Sequence, residues 1–459
     1  MSQKIKMPQR AANQRNKDFE EVTTGYTQQD AVVEASRCLQ CKNKPCVTGC
    51  PVNIDIPGFI KQIADKNFEE AVKVLKDKNN LPAVCGRVCP QENQCEKKCI
   101  LGIKGEPVGI GYLERFTADW ANENLDMPKP NIISNNIKIA VVGSGPAGLT
   151  CAGDLAKAGY DVTVFESLHD IGGVLRYGIP EFRLPIEVLD REIDSLKNLG
   201  IKFVLNCLVG RTKSVEDLWK EGFKAIFVGT GAGLPVFLNV EGENLNHIYS
   251  ANEFLVRVNL MRSFAFPEYD TPIYKGKNVV VVGGGNTAMD SARTALRLGA
   301  QSVKLVYRRT EAEMPARAEE RHHAKEEGVE FVTLTNPVKF LGGEKGNVCS
   351  VECVKMELTE PDESGRRKPV KVPNSNFTIE TDLVVLALGL NPNPILPTLT
   401  KGLDTDSHGY IEVDDNLMTH ISGIFAGGDI VGGDTVIQAM GMGKKAAKSI
   451  DSYINPSKN

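Results

Sequence analysis

Eight of the twelve cysteines in this chain lie between residues 38 and 99, and none of its six histidines does. They form two blocks of four: Cys38, Cys41, Cys46 and Cys50, then Cys85, Cys89, Cys95 and Cys99. Sulfur ligands without imidazole suit iron–sulfur clusters, because thiolates hold the iron in them. The cysteines therefore predict two 4Fe-4S clusters and one-electron chemistry.

Two other interpretations use the same cysteines. Structural zinc sites with four cysteines usually show two C-x2-C pairs rather than the x2, x4, x3 spacing of the first block. Disulfides are disfavoured because the N-terminus (MSQKIKMPQR) has no apolar signal-peptide core, so a reducing cytoplasmic location is expected. Both interpretations rank below iron–sulfur clusters.

A glycine-rich turn follows the predicted strand Ile139–Val142 and precedes a predicted helix, and its pattern G-x-G-x-x-G is formed by Gly143, Gly145 and Gly148. The first glycine permits a tight turn, the second lets backbone approach a pyrophosphate, and the third lets the helix lie close to the strand. The next predicted strand ends in Glu166, where an acid can bind the ribose hydroxyls of an unphosphorylated adenosine. The segment predicts a dinucleotide site.

A second segment, Lys277–Arg309, repeats this pattern with Gly283, Gly285 and Ala288. Its second strand ends in Arg308 and Arg309 instead of an acid. Guanidinium groups can bind a 2′-phosphate bidentately, so NADP(H) fits this site better than NAD(H). The alternative is a solvated strand end that carries two surface arginines.

The C-terminal part supplies a third glycine-rich piece. Thr381–Gly389 is a predicted buried strand, and Ile421–Gly443 holds a strand, Gly428 with Asp429, and a helix that begins near Thr435. An acid at a strand end can bind the ribityl chain of a flavin. A helix N-terminus at the flavin pyrimidine would stabilise negative charge on the reduced ring.

A chain of 459 residues is expected to contain about three domains, since a domain has about 150 residues. Residues 1–130 are predicted mostly helical, with apolar helical stripes over Ile60–Leu75 and Leu113–Leu125. A linker is expected at Met127–Asn136, followed by alternating strands and helices, and a hairpin with a charged turn at Asn347–Val372.

Composition excludes two broad classes of function. The chain is 41% hydrophobic and 24% charged, as expected for a soluble globular protein. Its net charge of -4 argues against a nucleic-acid-binding surface. No apolar run approaches the ~20 residues of a membrane-spanning helix. We therefore expect no nucleic-acid or membrane partner.

Together these features resemble the small (beta) subunit of glutamate synthase and the large subunit of Nfn, the NADH-dependent reduced ferredoxin:NADP oxidoreductase. The motifs that carry the resemblance are CLQCKNKPCVTGCP, CGRVCPQENQC, GSGPAGL, YGIPEFRLP, GGGNTAMD, VYRR and AGGD. The resemblance implies an α/β fold with a helical double 4Fe-4S domain (1–130) followed by two Rossmann-like domains. The FAD domain is expected to be discontinuous (131–250 and 378–459), with the NADPH domain (251–377) inserted.

The resemblance also implies ligands. One cluster would use Cys38, Cys41, Cys46 and Cys99, and the other Cys50, Cys89, Cys95 and Glu114. The softness of thiolate alone would instead favour Cys85 as the last ligand, and this alternative stays open. The implied FAD residues are Gly143, Gly145, Gly148, Glu166, Gly173, Gly178, Gly428, Asp429 and Thr435. The implied NADPH residues are Gly283, Gly285, Asn286, Ala288, Arg308 and Arg309.

Arg183 lies in the segment expected against the flavin ring and could supply positive charge to the reduced flavin. Its alternative role is a structural ion pair with Glu181 or Glu187. Hydride transfer itself needs position and electrostatics rather than an acid–base residue.

Three functions are open. The first is the NADPH- and ferredoxin-side subunit of an electron-bifurcating transhydrogenase of the Nfn type. The second is the NADPH-dependent glutamate synthase small subunit. The third, from another class, is a zinc-stapled nucleotide-binding scaffold. The first two require a second electron-transfer or synthase subunit as partner, and in the first a ferredoxin also takes part.

Overall fold

The computed structural model describes residues 3–126, 129–361, 365 and 367–456. Two residues of the expected linker (127–128) and part of the expected charged turn (362–364 and 366) lie outside the described residues. The helices of the N-terminal unit are Ala12–Arg15, Gln28–Ala35, Pro45–Thr48, Ile56–Ala64, Phe68–Lys78, Pro82–Val88 and Ile110–Asn124. Short 3-10 turns at Gln91–Asn93, Glu96–Lys98 and Ile100–Ile103 separate its cysteines.

The predicted helical stripe over Ile60–Leu75 is two helices rather than one. Ile56–Ala64 ends before Lys66, whose φ of 61° is left-handed and incompatible with a continuing α-helix. A second helix, Phe68–Lys78, then follows. Apolar residues of both helices are buried, so the stripe identified the core face but not the break between the helices.

A five-stranded parallel sheet, the first sheet, follows the N-terminal unit. Its strand order is Ile424–Ala426, Ala225–Val228, Lys138–Val142, Asp161–Phe165 and Lys202–Val204. The central strands are almost entirely buried, as expected where helices cover both faces of a parallel sheet. The helices of this unit are Pro146–Lys157, Val174–Tyr177, Ile186–Asn198, Val215–Lys220, Ile395–Leu399 and Val436–Ile454.

A second five-stranded parallel sheet is inserted into the first unit. Its strand order is Ile248–Ser250, Leu383–Leu386, Asn278–Val282, Ser302–Tyr307 and Glu330–Thr333. Its helices are Ala251–Leu255, Asn286–Arg297 and Ala318–Glu326, with a π turn at Val256–Leu260 and 3-10 turns at Ser263–Ala265 and Glu311–Glu313. The predicted α/β class with one Rossmann-like unit inserted into the other is confirmed.

The domain boundaries differ from those expected. Leu383–Leu386, expected in the discontinuous FAD unit, pairs with Asn278–Val282 in the second sheet. Ile248–Ser250, expected before the boundary at 250, pairs with Leu383–Leu386 on the other side. Both strands are short and apolar, and such strands fit either parallel sheet equally well, so pairing rather than composition decides where they lie.

The chain passes between the two sheets twice. Ala232–Pro235 leaves the first unit and pairs antiparallel with the returning strand Leu390–Pro392. Beside the second sheet, Thr335–Gly342, Val348–Pro361, Arg367–Lys371 and Phe377–Glu380 form an antiparallel sheet. The expected hairpin is confirmed by the pairing of Val348–Pro361 with Arg367–Lys371.

One hydrophobic core joins the N-terminal unit to the first sheet. It extends from Tyr26 to Ile450 in the sequence and includes four of the eight N-terminal cysteines, Cys50, Cys85, Cys89 and Cys95. The second sheet has a separate core around Val279, Val281 and Leu383. In the described part of the chain, no helix is both long enough and apolar enough to span a membrane.

Candidate functional site

Four of the cysteines surround one pocket of the N-terminal unit. Cys38, Cys41, Cys46 and Cys99 line it, and all four are half-buried. The remaining walls are apolar and are formed by Leu39, Pro45, Ile56, Pro57, Ile60, Ile100, Leu101, Val108 and Ile110. Burial, together with the neighbouring thiols Cys38 and Cys99, raises the pKa of Cys46 to about 11. Four thiols around one apolar pocket fit a 4Fe-4S cluster, whose binding would displace the thiol protons.

The second predicted ligand group is fully enclosed. Cys50, Cys89 and Cys95 are buried, and Glu114 is buried with them. Burial, followed by the charge of Glu114, raises the pKa of Cys50 to about 11. A hydrogen bond with Cys85, followed by burial, raises the pKa of Cys89 well above its usual range. The structure thus brings together three thiols and one carboxyl, with Cys85 beside them.

The ligand groups are more open than a mononuclear metal site. Within the described ranges, no group of three or more His, Cys, Asp or Glu side chains closes around one ion. A cluster of four irons and four sulfides requires ligands farther apart than a single ion does. The donor types, thiols with one carboxyl, suit iron in such a cluster.

Asn79 connects Glu114 with Cys85. This residue ends the helix Phe68–Lys78, and its side chain is completely buried. Its amide Nδ2 donates to Glu114 Oε1 at 2.7 Å, and its Oδ1 lies 3.8 Å from Cys85 Sγ. The same Oδ1 accepts the backbone N–H of Leu81 at 2.9 Å. Burial raises the pKa of Glu114 to about 8, while the Asn79 hydrogen bond acts in the opposite direction.

The first glycine-rich turn has the geometry of a nucleotide-binding turn. Gly143 has φ 99°, and a Cβ there would lie 2.5 Å from the carbonyl oxygen of Gly229. A Cβ at Gly148 would lie 2.0 Å from the Gly143 carbonyl oxygen, so the helix Pro146–Lys157 packs closely on the strand. Gly145 caps that helix and faces open space, since a Cβ added there would meet no atom within 4 Å. A pyrophosphate fits in this space, at the helix N-terminus.

Glu166 is bound to the same turn. Its Oε2 accepts hydrogen bonds from the backbone N–H and the Oγ of Ser144, at 2.9 and 2.6 Å. Its Oε1 accepts from the N–H of Leu168 at 2.8 Å. Ser144 Oγ in turn accepts from Gly172 N–H at 3.0 Å. Ser167 Oγ also donates to Oε1, at 3.1 Å, so four hydrogen bonds fix the acid beside the glycine turn. A ribose hydroxyl that binds Glu166 would therefore replace one of these donors.

The remaining predicted flavin residues converge on this turn. A Cβ at Gly173 would lie 2.8 Å from Gly145 Cα, and one at Gly428 would lie 3.0 Å from the Cβ of Ala147. Gly178 ends the short helix Val174–Tyr177. Burial, followed by the charge of Asp434, raises the pKa of Asp429 to about 6.

Two further side chains complete this site. Thr435 caps the helix Val436–Ile454, its hydroxyl accepting from Gln438 N–H at 3.4 Å. Burial, followed by the charges of Asp429 and Glu166, raises the pKa of Tyr177 to about 12. Tyr177 was not predicted, although it belongs to the motif segment that contains Gly178.

The second glycine-rich turn repeats the first in a different setting. Gly283 has φ 143°, and a Cβ there would lie 2.2 Å from the carbonyl oxygen of Ala387. Gly285 faces open space at the start of the helix Asn286–Arg297, in which Ala288 is fully buried. Asn286 Oδ1 accepts the backbone N–H of Arg317 at 2.9 Å. The turn thus leaves room for a second pyrophosphate.

The two predicted phosphate-binding arginines differ in environment. Arg308 is exposed just beyond the strand Ser302–Tyr307. Arg309 is buried, and its Nε donates to the carbonyl oxygen of Arg367 at 2.7 Å. Arg308 is therefore available for a 2′-phosphate, whereas Arg309 connects the second sheet to the adjacent antiparallel sheet.

Arg183 pairs with neither of the acids expected from its neighbourhood. Its Nη1 donates to both oxygens of Asp290, at 2.9 and 2.7 Å, and its Nε lies 3.2 Å from Glu320. Both acids belong to the second-sheet unit, so the expected partners Glu181 and Glu187 were wrong. Burial opposes its charge, but Asp290 and Glu320 together raise the pKa of Arg183.

Arg183 belongs to a buried set of charges, the arginine–carboxylate cluster, whose members are Arg15, Arg183, Asp290, Arg293, Arg297, Glu320 and Glu327. Burial acts against ionisation of Glu327, yet Arg293 and Arg297 together hold its pKa well below the usual range. Arg15 comes from the N-terminal segment and donates to Glu327 at 2.9 Å. The cluster joins the N-terminal segment, the flavin-side segment and the second sheet.

Sequence reasoning missed the partners in this cluster. Asp290 lies in the quoted motif GGGNTAMD and Arg183 in YGIPEFRLP, so the motifs contained both residues without revealing that they pair. Ser144 lies in the quoted motif GSGPAGL, but the glycine pattern does not specify its side chain, and Asn79 carries no sequence signal beyond its polar type.

Comparison with known proteins agrees with this geometry. Residues 15–125 match the family described as dihydropyrimidine dehydrogenase domain II, 4Fe-4S cluster, and residues 137–443 match the pyridine nucleotide-disulphide oxidoreductase family. The two matched ranges meet at the linker between the helical unit and the first sheet.

Two relatives and one structure illustrate the match. The chain is 39% identical over 436 residues to the NADP(+)-dependent formate dehydrogenase subunit beta of Moorella thermoacetica, covering 89% of this chain and 60% of that protein. It is 38% identical over 453 residues to the glutamate synthase (NADPH) small chain of Halomonas elongata, covering 97% and 95%. FprA from Mycobacterium tuberculosis has a TM-score of 0.59 at 21% identity, covering 71% of this chain and 86% of that one, which shows a shared fold.

Proposed function

We propose that this chain passes electrons from NADPH through FAD and two 4Fe-4S clusters to a partner protein. The chain belongs to the family of the glutamate synthase small chains, which joins a 4Fe-4S domain to a pyridine nucleotide-disulphide oxidoreductase domain. As a member of that family it is an NADPH-dependent iron–sulfur flavoprotein oxidoreductase. The number of clusters, the residues that bind them and the partner are the proposed part.

One observation carries the proposal: the C-terminal helix Val436–Ile454 contacts both candidate sites. It begins at Thr435 beside the proposed flavin residues. Met440 on this helix lies with its Sδ 3.5 Å from Cys85 Sγ. A Cβ at Gly441 would lie 2.9 Å from the carbonyl oxygen of Pro51, the residue after Cys50. The proposed flavin site and the buried cysteine group are thus adjacent, as electron transfer between them requires.

The protein's residues have separate parts in this function. The turn at Gly143 and Gly145 would hold the FAD pyrophosphate, and the turn at Gly283 and Gly285 the NADPH pyrophosphate. Arg308 would select NADPH through its 2′-phosphate. When bound, FAD supplies the conversion of a two-electron hydride into the single electrons that clusters carry.

The partner distinguishes two candidate functions. The resemblance of residues 17–29 and 101–120 to the Nfn large subunit favours the NADPH- and ferredoxin-side subunit of an electron-bifurcating transhydrogenase. The near-complete mutual coverage with the glutamate synthase small chain of Halomonas elongata, 97% and 95%, favours a synthase subunit instead. The arrangement of the proposed cofactor sites suits both functions, because in each of them electrons enter from NADPH and leave to a partner protein.

Iron analysis tests the cluster proposal. Protein purified without oxygen should contain about eight irons and eight labile sulfides per chain. Cys38→Ser or Cys99→Ser should lose about half of each, whereas Cys85→Ser should retain both clusters if Glu114 is the ligand. Two zinc ions and no iron would refute the proposal.

Reconstitution tests the partner. The chain is co-purified with its neighbouring subunit and given NADPH with ferredoxin and NAD, separately and together. Ferredoxin reduction that requires NAD supports bifurcation. Glutamate formed from glutamine and 2-oxoglutarate, without NAD-dependent ferredoxin reduction, assigns the chain to glutamate synthase.

A further inference from the structure

The half-buried cysteine group lies beneath an unusual patch of the N-terminal unit. The patch, here the lysine surface, consists of exposed residues from two cysteine-bearing segments: Leu39, Lys42, Lys44, Lys97, Lys98, Ile100, Ile103 and Lys104. The same segments supply Cys38, Cys41, Cys46 and Cys99. Since the other cysteine group is buried beside the C-terminal helix, this group is the one nearer to solvent.

The centre of the lysine surface is apolar. Leu39 is 58% exposed, Ile103 is 77% exposed and Ile100 is 40% exposed. Leu39 and Ile100 also line the pocket of the four half-buried cysteines, so they reach from that pocket to solvent. Exposed aliphatic side chains grouped in this way are typical of a surface that another protein covers.

The rim of the lysine surface is strongly basic although the whole chain is acidic. Segments 38–46 and 97–104 contain five lysines and no acidic residue, in a chain of net charge -4. Lys44 is paired with Asp55 at 2.7 Å. In the described part of the chain the other four lysines form no ion pair, so their charges are available to a partner.

We infer that the lysine surface is the docking site of a small acidic one-electron carrier protein, an inference that rests on the proposed function. Oxidation of NADPH to NADP+ and one proton releases two electrons, and each carrier molecule would take up one of them. The second electron would reduce another carrier molecule or, in a bifurcating complex, supply one of the two electrons that NAD needs. Lysine is depleted in the centres of permanent interfaces, whereas small, charged contact areas are typical of transient electron-transfer complexes. Complementary charge would steer the acidic carrier to this surface.

Charge reversal tests the inference. The Lys97→Glu/Lys98→Glu variant is assayed as the complex co-purified with its neighbouring subunit, with NADPH and with or without NAD. Its kcat/KM for reduction of an acidic bacterial 4Fe-4S ferredoxin should fall about ten-fold or more at low salt. Its dependence on salt concentration should weaken as well, because fewer attractive charges remain to be screened. Bleaching of the flavin absorbance by NADPH should be unchanged, since neither lysine contacts the nucleotide turns.

The matched control is Lys224→Glu/Lys401→Glu, which makes the same charge change at two exposed lysines of the first-sheet unit. It should reduce the ferredoxin at the wild-type rate. Equal loss in both variants or no loss in either would overturn the inference. So would a wild-type complex that NADPH bleaches but that cannot reduce the ferredoxin even with NAD present, a result that would indicate a permanent subunit on this surface. A wild-type protein that NADPH does not bleach would instead refute the proposed function.

Discussion

Asn79→Asp should selectively destabilise the cluster bound at the buried cysteine group. The substitution keeps the oxygen that accepts from Leu81 N–H and lies near Cys85. It replaces the Nδ2 donor, 2.7 Å from Glu114 Oε1, with a second carboxyl oxygen. The local backbone is thus preserved, while one hydrogen bond to Glu114 becomes a like-charge contact.

The expected magnitude follows from that single contact. A hydrogen bond to a charged group contributes about 1.5–3 kcal/mol. Loss of an outer-shell partner of a metal ligand typically costs about 10–100-fold in metal affinity, which is about 1.4–2.8 kcal/mol and agrees with the first figure. We therefore expect iron to be lost from this cluster about 10–100 times more readily than from wild-type protein.

The assay is iron and labile-sulfide content, with electron paramagnetic resonance of the reduced protein, during timed exposure to a chelator. Cys38→Ser is the control, because it should remove the signal of the other cluster. Asn79→Asp protein that retains both signals with the wild-type rate of iron loss would show that Glu114 is not a ligand oriented by Asn79. If Cys85→Ser then lost this cluster, Cys85 would be the ligand.

Three further outcomes follow from single contacts. Arg183→Met leaves Asp290 buried without its cation and should lower the free energy of unfolding by about 3–5 kcal/mol in thermal or denaturant melts. Adding Asp290→Leu should recover most of this loss. An altered flavin potential at unchanged stability would instead support a flavin-tuning role for Arg183. Arg308→Ala should weaken NADPH binding by about 1.5–3 kcal/mol in titration calorimetry and leave the affinity for NADH unchanged. Arg309→Ala should mainly lower thermal stability. Equal effects of the two substitutions would contradict the different environments of the two arginines. Asp429→Asn should weaken FAD binding yet stabilise the flavin-free protein at pH 7 by roughly 1–3 kcal/mol. Because the folded-state pKa is raised to about 6, this gain should be complete above that pH and vanish below the unfolded pKa of about 4, so a gain that persists at pH 3 would refute the charge explanation.

The sequence predicted best those features that only one residue type can supply. The turns at Gly143 and Gly283 need positive φ and space for a phosphate, so glycine spacing located both turns. The cysteine blocks indicated iron–sulfur chemistry because thiolate ligands allow few alternatives, whereas the division into two ligand groups came from the resemblance. The alternation of strands and helices was enough to predict two Rossmann-like units.

What the sequence did not predict depends on contacts between distant segments. Arg183 and Asp290 are 107 residues apart, and nothing local distinguishes Asp290 from the acids beside Arg183. Arg308 and Arg309 are adjacent and chemically identical, yet the twist of the strand end exposes one and buries the other. The short apolar strand Leu383–Leu386 would fit either sheet, and only its pairing assigns it to the second.

The single core that extends from Tyr26 to Ile450 makes the iron–sulfur unit and the first-sheet unit one cooperative folding unit. Four of the eight N-terminal cysteines are themselves part of that core, so its packing and cluster binding depend on each other. Iron insertion and flavin retention should therefore be coupled steps of maturation, since a cluster-free chain lacks a fully ordered wall for its flavin site. The second-sheet unit has its own core, and two N-terminal residues that contact this unit, Arg15 and Phe19, precede the cysteines, so its folding should depend less on metal supply.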